Sequence, residues 1–564
     1  MTGRPTWPVV AVVCLVLMLT VAGWLDSTAA NGTFVYALDD AYIHLTIGRT
    51  LAEHGVWGVS PREFSSASSS PLWTILLALW CRLFGASDLA PLALNAFFAC
   101  LLIVVSDSRL CRSWPGYAER PWHRFAFLCM LMFAIPMPTL ILSGMEHLLH
   151  ALLAVLFVLK AVGFLWSSND HAEPTRTRRE VGRRRPDGAV QPDPTEGFFA
   201  LSVIAALTVA TRYESMALVA PVLLILAWRR KWNHAIPLAL ASLLPVVLFG
   251  MYSLVNRMPF VPASILVKTV GLTQGVPAWF LYTPLVKAAF QIFICPPLLI
   301  MTALGILAVI RVRREPDVMP LRDAGASGVF AAAAIIHADF AGVGWFYRYE
   351  AYLVAIGMVT VLPAFVADIG FRAKATGELK RTHASILFAL VLLLSWPFFV
   401  RAARSLADTP LAYRNVGDQQ IQLARFLAAK GTGRTIALND IGAVGYYSDT
   451  PMFDLFGLAS PEIYHVRIRR EYSTETIDRL ARQAGAETAI LTPDWYRPFG
   501  GIPASWTQVA TWKIENNIIC GSDTVAFYAI ASNARDDLER RLKEFGPSLP
   551  PDVTAAFTGD PARK

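Results

Sequence analysis

Apolar segments of roughly twenty residues recur along this chain, separated by short stretches rich in Lys and Arg, and no other feature limits the possible folds so strongly. A run of that length crosses the ~30 Å hydrocarbon core of a bilayer as a helix, where backbone polar groups must be satisfied internally. Of 564 residues, 55% are hydrophobic and 16% charged, whereas about a quarter are charged in soluble domains, so a set of soluble domains is excluded. The net charge of +8 would suggest a polyanion partner in a soluble protein. Here the cations sit in the short loops, so the charge reports topology and not nucleic-acid binding. The seven cysteines (Cys14, Cys81, Cys100, Cys111, Cys129, Cys295 and Cys520) have no paired spacing, which argues against a disulfide framework or a metal knuckle.

The Lys/Arg bias sets the order of spans. Ala29 and Ala30 would suit a cleavage site, but the downstream topology needs an anchored first helix, so the segment at about 8–26 is expected to remain as a span. It delivers residues 27–87 outside as a first external loop with interfacial helices: an amphipathic one from Ala41 to His54, and the apolar Pro71–Phe84, too short to span. Were Pro71–Phe84 to span, the next segment would place Arg109, Arg112, Arg120 and Arg124 outside, against the positive-inside tendency. Further spans are expected at about 89–107, 123–142, 147–166, a hairpin over 197–228, then 234–252, 290–311, 324–341, 350–367 and 384–401. The expected architecture is therefore an α-helical polytopic membrane domain, residues 1–401, with about eleven transmembrane helices and a disordered cytoplasmic loop at 167–196. Residues 402–545 change to the pattern of a soluble α/β domain outside the membrane, and 546–564 read as a flexible tail.

With this topology the unusual polar residues fall at one boundary. Asp39 and Asp40 follow the first span, Glu146 lies between spans three and four, and Arg212 with Glu214 breaks the hairpin. Lys268 follows span seven, and Arg348 and Glu350 open span ten. Each has a plain structural reading: Asp is a favoured N-cap, Glu146 suits a helix N-terminus, Glu214 can pair with Arg212, and isolated Lys and Arg snorkel. Together, cations to hold a phosphate and carboxylates to deprotonate a hydroxyl suit group transfer from an anionic lipid carrier.

The stretch Asp39-Asp40-Ala41-Tyr42-Ile43, followed by Pro71-Leu72-Trp73, resembles the first external loop of GT-C fold glycosyltransferases that use polyprenyl-phosphate sugars. The chain is most similar to the bacterial branch around arabinofuranosyltransferases, and more distantly to protein mannosyltransferases and lipid A aminoarabinose transferases. Ser143-Gly144-Met145-Glu146 resembles that branch's second-loop acidic motif. Thr211-Arg212-Tyr213-Glu214 resembles Thr-Arg-Pro-Glu/Asp with Tyr213 for proline, and Pro262-Ala263-Ser264 with Lys268 resembles Pro-Asn-Thr…Lys without the Asn. Asn439-Asp440-Ile441-Gly442 and Asp454-Leu455-Phe456-Gly457 are similar to terminal-domain signatures.

The resemblance implies an inverting transfer from a polyprenyl-phosphate-linked sugar donor to a hydroxyl acceptor (glycan, lipid or protein) on the extracytoplasmic face of the cell membrane. Asp40 is then the expected general base, with Asp39 orienting it or exchanging roles with it, and Glu146 a second acid. Lys268, Arg348 and Arg212 would bind the donor phosphate, and Glu214, Glu350 and Tyr42 would position acceptor or sugar. Neither metal nor cofactor is expected. A transporter or flippase of lipid-linked glycans would instead place charges near the midplane with broken helices in two halves, and a structural envelope subunit would rest on its terminal domain alone.

Overall fold

The sequence elements that frame the two aspartates set the architecture. In the computed structural model of the protein the described residues are 7–28, 34–166, 194–266, 283, 285–315, 319–365 and 381–559. Helix α1 (Trp7–Thr28) is followed by α2 (Asp40–His54), which stops at Gly55, a left-handed residue (φ 71°) whose N–H returns to Leu51 O. Helix α3 (Pro71–Phe84) starts on a proline at its first position, where no N–H is missed. Then come α4 (Ala90–Ser113), α5 (Pro121–Ala134), α6 (Met137–Leu142) and α7 (His147–Leu165). Helices α8 (Pro194–Thr211) and α9 (Met216–Trp228) are separated by a single 3₁₀ turn at Tyr213–Ser215, so the expected break is present, but the expected tight hairpin is not: each packs on the following helix, Trp232–Val255, and not on the other. The bundle continues with α10 (Trp232–Val255), α11 (Val286–Phe293), α12 (Pro296–Arg314), α13 (Leu321–Phe340), α14 (Ala351–Phe365) and α15 (Arg381–Val416).

Among the described residues, α4, α7, α10 and α12 are long and apolar enough to cross a membrane, and five further apolar helices are shorter. The expected span at about 123–142 is broken before α6 by Pro136, which has no N–H to give and restricts Ile135. The one at about 290–311 is split ahead of Pro296-Pro297 for the same reason. Helix α10 exposes Leu240, Leu244, Leu248, Met251 and Val255, an apolar surface that suits lipid and would aggregate in water.

Helix α2 departs from the expected amphipathic helix along the interface. Ala41 to Gly48 are buried without interruption, because α2 is covered by α3 on one side and by a helix of the terminal domain on the other.

That domain begins without a break at the expected boundary of 401/402, since α15 runs straight through it to Val416. After α16 (Gln422–Lys430) the chain forms β1 (Ile436–Leu438), α17 (Gly442–Tyr447), β2 (Met452–Asp454), α18 (Pro461–Ile468), α19 (Thr474–Gln483), β3 (Thr488–Leu491), β4 (Thr507–Ile514), β5 (Thr524–Ala529), α20 (Arg535–Phe545) and β6 (Val553–Phe557). The sheet order is β2-β1-β3-β5-β4-β6, with β1 parallel to both neighbours and the other pairs antiparallel. Strand β6 corrects the expectation of a flexible tail from 546: Val553–Phe557 pairs with β4, Ala555 opposite Trp512. The prolines at 550 and 551 precede the strand, where they remove no ladder bond. Most of the expected loop 167–196, residues 167–193, lies outside the described residues.

Candidate active site

Adjacent in sequence, Asp39 and Asp40 serve different partners. Asp39 occupies the N-cap position of α2 yet makes no side-chain cap there. Its carboxylate instead accepts the Gly442 and Ala443 N–H groups at 3.0 and 2.8 Å, so it caps α17, four hundred residues away. Gly442 is required: a Cβ there would lie 2.2 Å from Asp39 O. Burial, opposed by the Ala443 N–H and reinforced by the Asp40 charge, raises the Asp39 pKa to about 6. Having ionised first, Asp39 then acts on Asp440, which burial and the Asp39 charge push to about 8 against the Gln420 amide.

Asp40 points the other way. Its Oδ2 accepts Arg348 Nη2 at 3.0 Å, and its side chain keeps 29% exposure while Arg348 is 3% exposed. Arg348 is therefore no lipid anchor. Its Nε and Nη1 are buried and have no hydrogen-bond partner among the described residues.

Beside this pair lies a second cluster. The Ser143-Gly144 turn brings Glu146 to the start of α7; Gly144 is left-handed (φ 70°), and a Cβ there would meet Tyr36 and Ala41 below 3 Å. Glu146 is fully buried. Arg212, in the extended residue between α8 and the 3₁₀ turn, gives Nη1 to Glu146 at 2.5 Å and Nη2 and Nε to Glu214 at 2.6 and 3.2 Å. All three of its nitrogens are committed. The other Glu146 oxygen has no hydrogen bond among the described residues; His44 Nε2 approaches it at 4.0 Å. Both ring nitrogens of buried His147 are also unpartnered among the described residues. Tyr349 joins the two clusters, with the Arg348 guanidinium 5.2 Å and the Arg212 guanidinium 5.6 Å from its ring centre.

Asp40, Arg348, Arg212, Glu214 and Glu146 are thus brought together. Glu350 is close in sequence but already occupied: its carboxylate accepts Gly344 N–H at 2.7 Å and pairs with Arg401. Tyr42 is buried among Tyr36, Tyr446 and Tyr447, and its hydroxyl accepts Tyr36 N–H at 3.0 Å, which makes it a support of the 36–39 segment. Lys268 lies outside the described residues. Sequence reasoning passed over His147 and Tyr349, although both stand inside the motifs that carry Glu146 and Arg348, and it assigned no role to Asp440 or Arg401. No group of three His, Cys, Asp or Glu side chains forms a metal-binding set among the described residues.

Chemically the arrangement can take an anion. Among the described residues, the Nε and Nη1 donors of Arg348 lack partners beside an accessible carboxylate, and buried donors are otherwise nearly always paired.

Comparison with known proteins gives the following likenesses. A family described as a domain of unknown function (DUF8728) matches residues 413–528. No curated protein sequence matches the chain. Among solved structures, ArnT from Cupriavidus metallidurans bound to undecaprenyl phosphate is similar with a TM-score of 0.49 and 13% identity, over 93% of this chain and 98% of that one. The apo form of the Archaeoglobus fulgidus oligosaccharyltransferase is similar at 0.47 and 11%, over 93% of this chain and 74% of that one. ArnT in its apo state is similar at 0.46 and 14%, with coverage of 93% and 98%.

Proposed function

We propose that the protein is a multi-pass GT-C type membrane glycosyltransferase that moves a sugar from a polyprenyl-phosphate donor to a hydroxyl acceptor of the cell envelope, with inversion, on the extracytoplasmic face. The observation that carries this reading is the Asp40–Arg348 pair: an accessible carboxylate fixed beside a buried guanidinium with two donors unused among the described residues. The motif order around Asp40, Glu146 and Arg212 points to the same class.

In the proposed reaction the acceptor oxygen attacks the anomeric carbon, its proton passes to Asp40, and the bond from that carbon to the phosphate oxygen breaks. The polyprenyl phosphate leaves with the electron pair. Arg348 stabilises that growing charge through Nε and Nη1, while a lipid phosphate so held needs no general acid. Direct displacement by one base inverts the centre. Arg212 stays committed to Glu146 and Glu214 and shapes the wall; Lys268 supplies a second cation. Asp39 is assigned to the domain junction, which leaves Asp40 as base.

Purified protein in nanodiscs, given a panel of polyprenyl-phosphate sugars, is expected to release polyprenyl phosphate with one of them, and Asp40→Asn to stop that release. Release at the same rate from the Asn variant would end the reading of Asp40 as base, and no release from any donor would end the enzymatic reading.

A further inference from the structure

The segment that presents Arg348 has an uncommon backbone. Trp345, Phe346 and Tyr347 all lie in the left-handed region, at φ 40°, 57° and 63°, directly after Gly344 at 86°. L side chains avoid this region, and bulky aromatic ones gain no local hydrogen bond that would offset it. Three in succession persist only where the surroundings impose them, and such strain collects at functional sites.

We propose that Arg401 is the positioning residue that imposes this turn, and through it aims Arg348 at the donor phosphate; the inference rests on the proposed function. Arg401 is 8% exposed and every one of its nitrogens is engaged. Nη2 donates to Tyr347 O at 2.8 Å, the carbonyl immediately before Arg348; Nη1 pairs with Glu350; Nε donates to Ala134 O at 3.1 Å. Glu350 closes the other end of the turn by accepting Gly344 N–H. The Tyr347 ring lies under the Arg401 guanidinium at 5.1 Å, and its hydroxyl donates to Asp408 at 2.5 Å. Arg401 and Asp408 stand seven residues apart, two turns along one face of α15. Arg348 has two donors unused and Arg401 has none, which is how a ligand-binding arginine and a supporting one differ. The same α15 enters the terminal domain, so the aim of Arg348 is set by the element that joins the two halves of the chain.

The test measures binding of undecaprenyl phosphate to the full-length protein in nanodiscs, with the melting temperature alongside, for Arg348→Lys, Arg401→Gln, Arg401→Lys, and Arg348→Lys with Arg401→Gln. Arg401→Gln is expected to weaken binding about ten- to a hundred-fold, Arg401→Lys to recover part of it, and the double variant to be little worse than Arg348→Lys alone, because residues in one network are not additive. Unchanged binding in Arg401→Gln, or full additivity in the double variant, overturns the inference. If Arg348→Lys itself leaves binding unchanged, the proposed function of the site fails instead. Should Arg401→Gln not fold, Tyr347→Phe removes only the bond to Asp408; about a three-fold loss is expected, and unaltered binding overturns the proposal.

Discussion

Two regions built on neighbouring residues differ in how completely their polar groups are satisfied. At the junction of α2 and α17, Asp39 receives two backbone N–H groups and holds the two domains in register. On the next residue's side, Asp40 meets an arginine that still has two buried donors unused among the described residues, near a glutamate oxygen and a histidine that also lack partners there. A satisfied buried network rigidifies; an unsatisfied one costs stability and persists where a ligand completes it. Under the proposed mechanism the contrast gives structure to Asp39 and chemistry to Asp40, and it can be broken or sharpened at four points.

The largest expected effect is at Asp40. Under the proposed mechanism Asp40→Asn lowers turnover by about a hundred- to ten-thousand-fold, the usual worth of a positioned base, with polyprenyl phosphate still bound. Single-turnover release separates the two. If Asp39→Asn shows the larger chemical loss while the domain junction stays folded, the assignment is reversed.

Next is Arg348→Lys, which keeps a charge but loses the planar fork. Donor use is expected to fall about ten- to a hundred-fold in kcat/KM, since the fork both binds the phosphate and stabilises its growing charge. An equal kcat/KM in the Lys variant would mean that these donors face no phosphate.

How far the sequence anticipates this contrast depends on the distance between partners. Apolar segments give the helices almost in place, since length and composition are local, and the Thr211-Arg212-Tyr213-Glu214 break appears as expected because its polar residues cannot continue an apolar helix. The change of pattern after residue 402 is equally local: α19 and strands β3, β4 and β5 lie within the stretch expected to form an α/β domain. The partner of Asp39 is four hundred residues away, and its natural reading as a cap of its own helix is overridden by tertiary structure. Arg401 reads as an ordinary cation at the end of a span; only the left-handed turn it supports distinguishes it. Strand β6 is lost in a Pro-rich tail because an edge strand needs a neighbour to exist.

On the structural side of the comparison, Gly442→Ala puts a methyl group where Asp39 O already lies. Overpacking of this kind costs about 1–3 kcal/mol, and here it also opens the cap on α17. A lower melting temperature is expected, with undecaprenyl phosphate affinity retained in the fraction that stays folded. If affinity falls as far as in Arg348→Lys, the two regions are one functional unit and the contrast fails.

The smallest effect is a pH dependence at Asp440. In the unfolded chain an Asp titrates near 3.9, whereas burial and the ionised Asp39 raise Asp440 to about 8 in the folded protein. Between those values the folded state holds a proton that the unfolded state has released, so ν for the native state is larger and stability falls as pH rises. The loss begins above about pH 4 and is complete once Asp440 ionises above about 8, where it sits as a charge beside Asp39. Asp440→Asn removes the ionising group and keeps an isosteric polar one. The variant is expected to melt with the parent near pH 4 and increasingly above it as the pH is raised to 8.5. A series of thermal melts from pH 4 to 9 makes the measurement. Parallel curves for parent and variant would show that Asp440 carries no buried charge penalty, and the junction would then have to be counted as open to water like the Asp40 side.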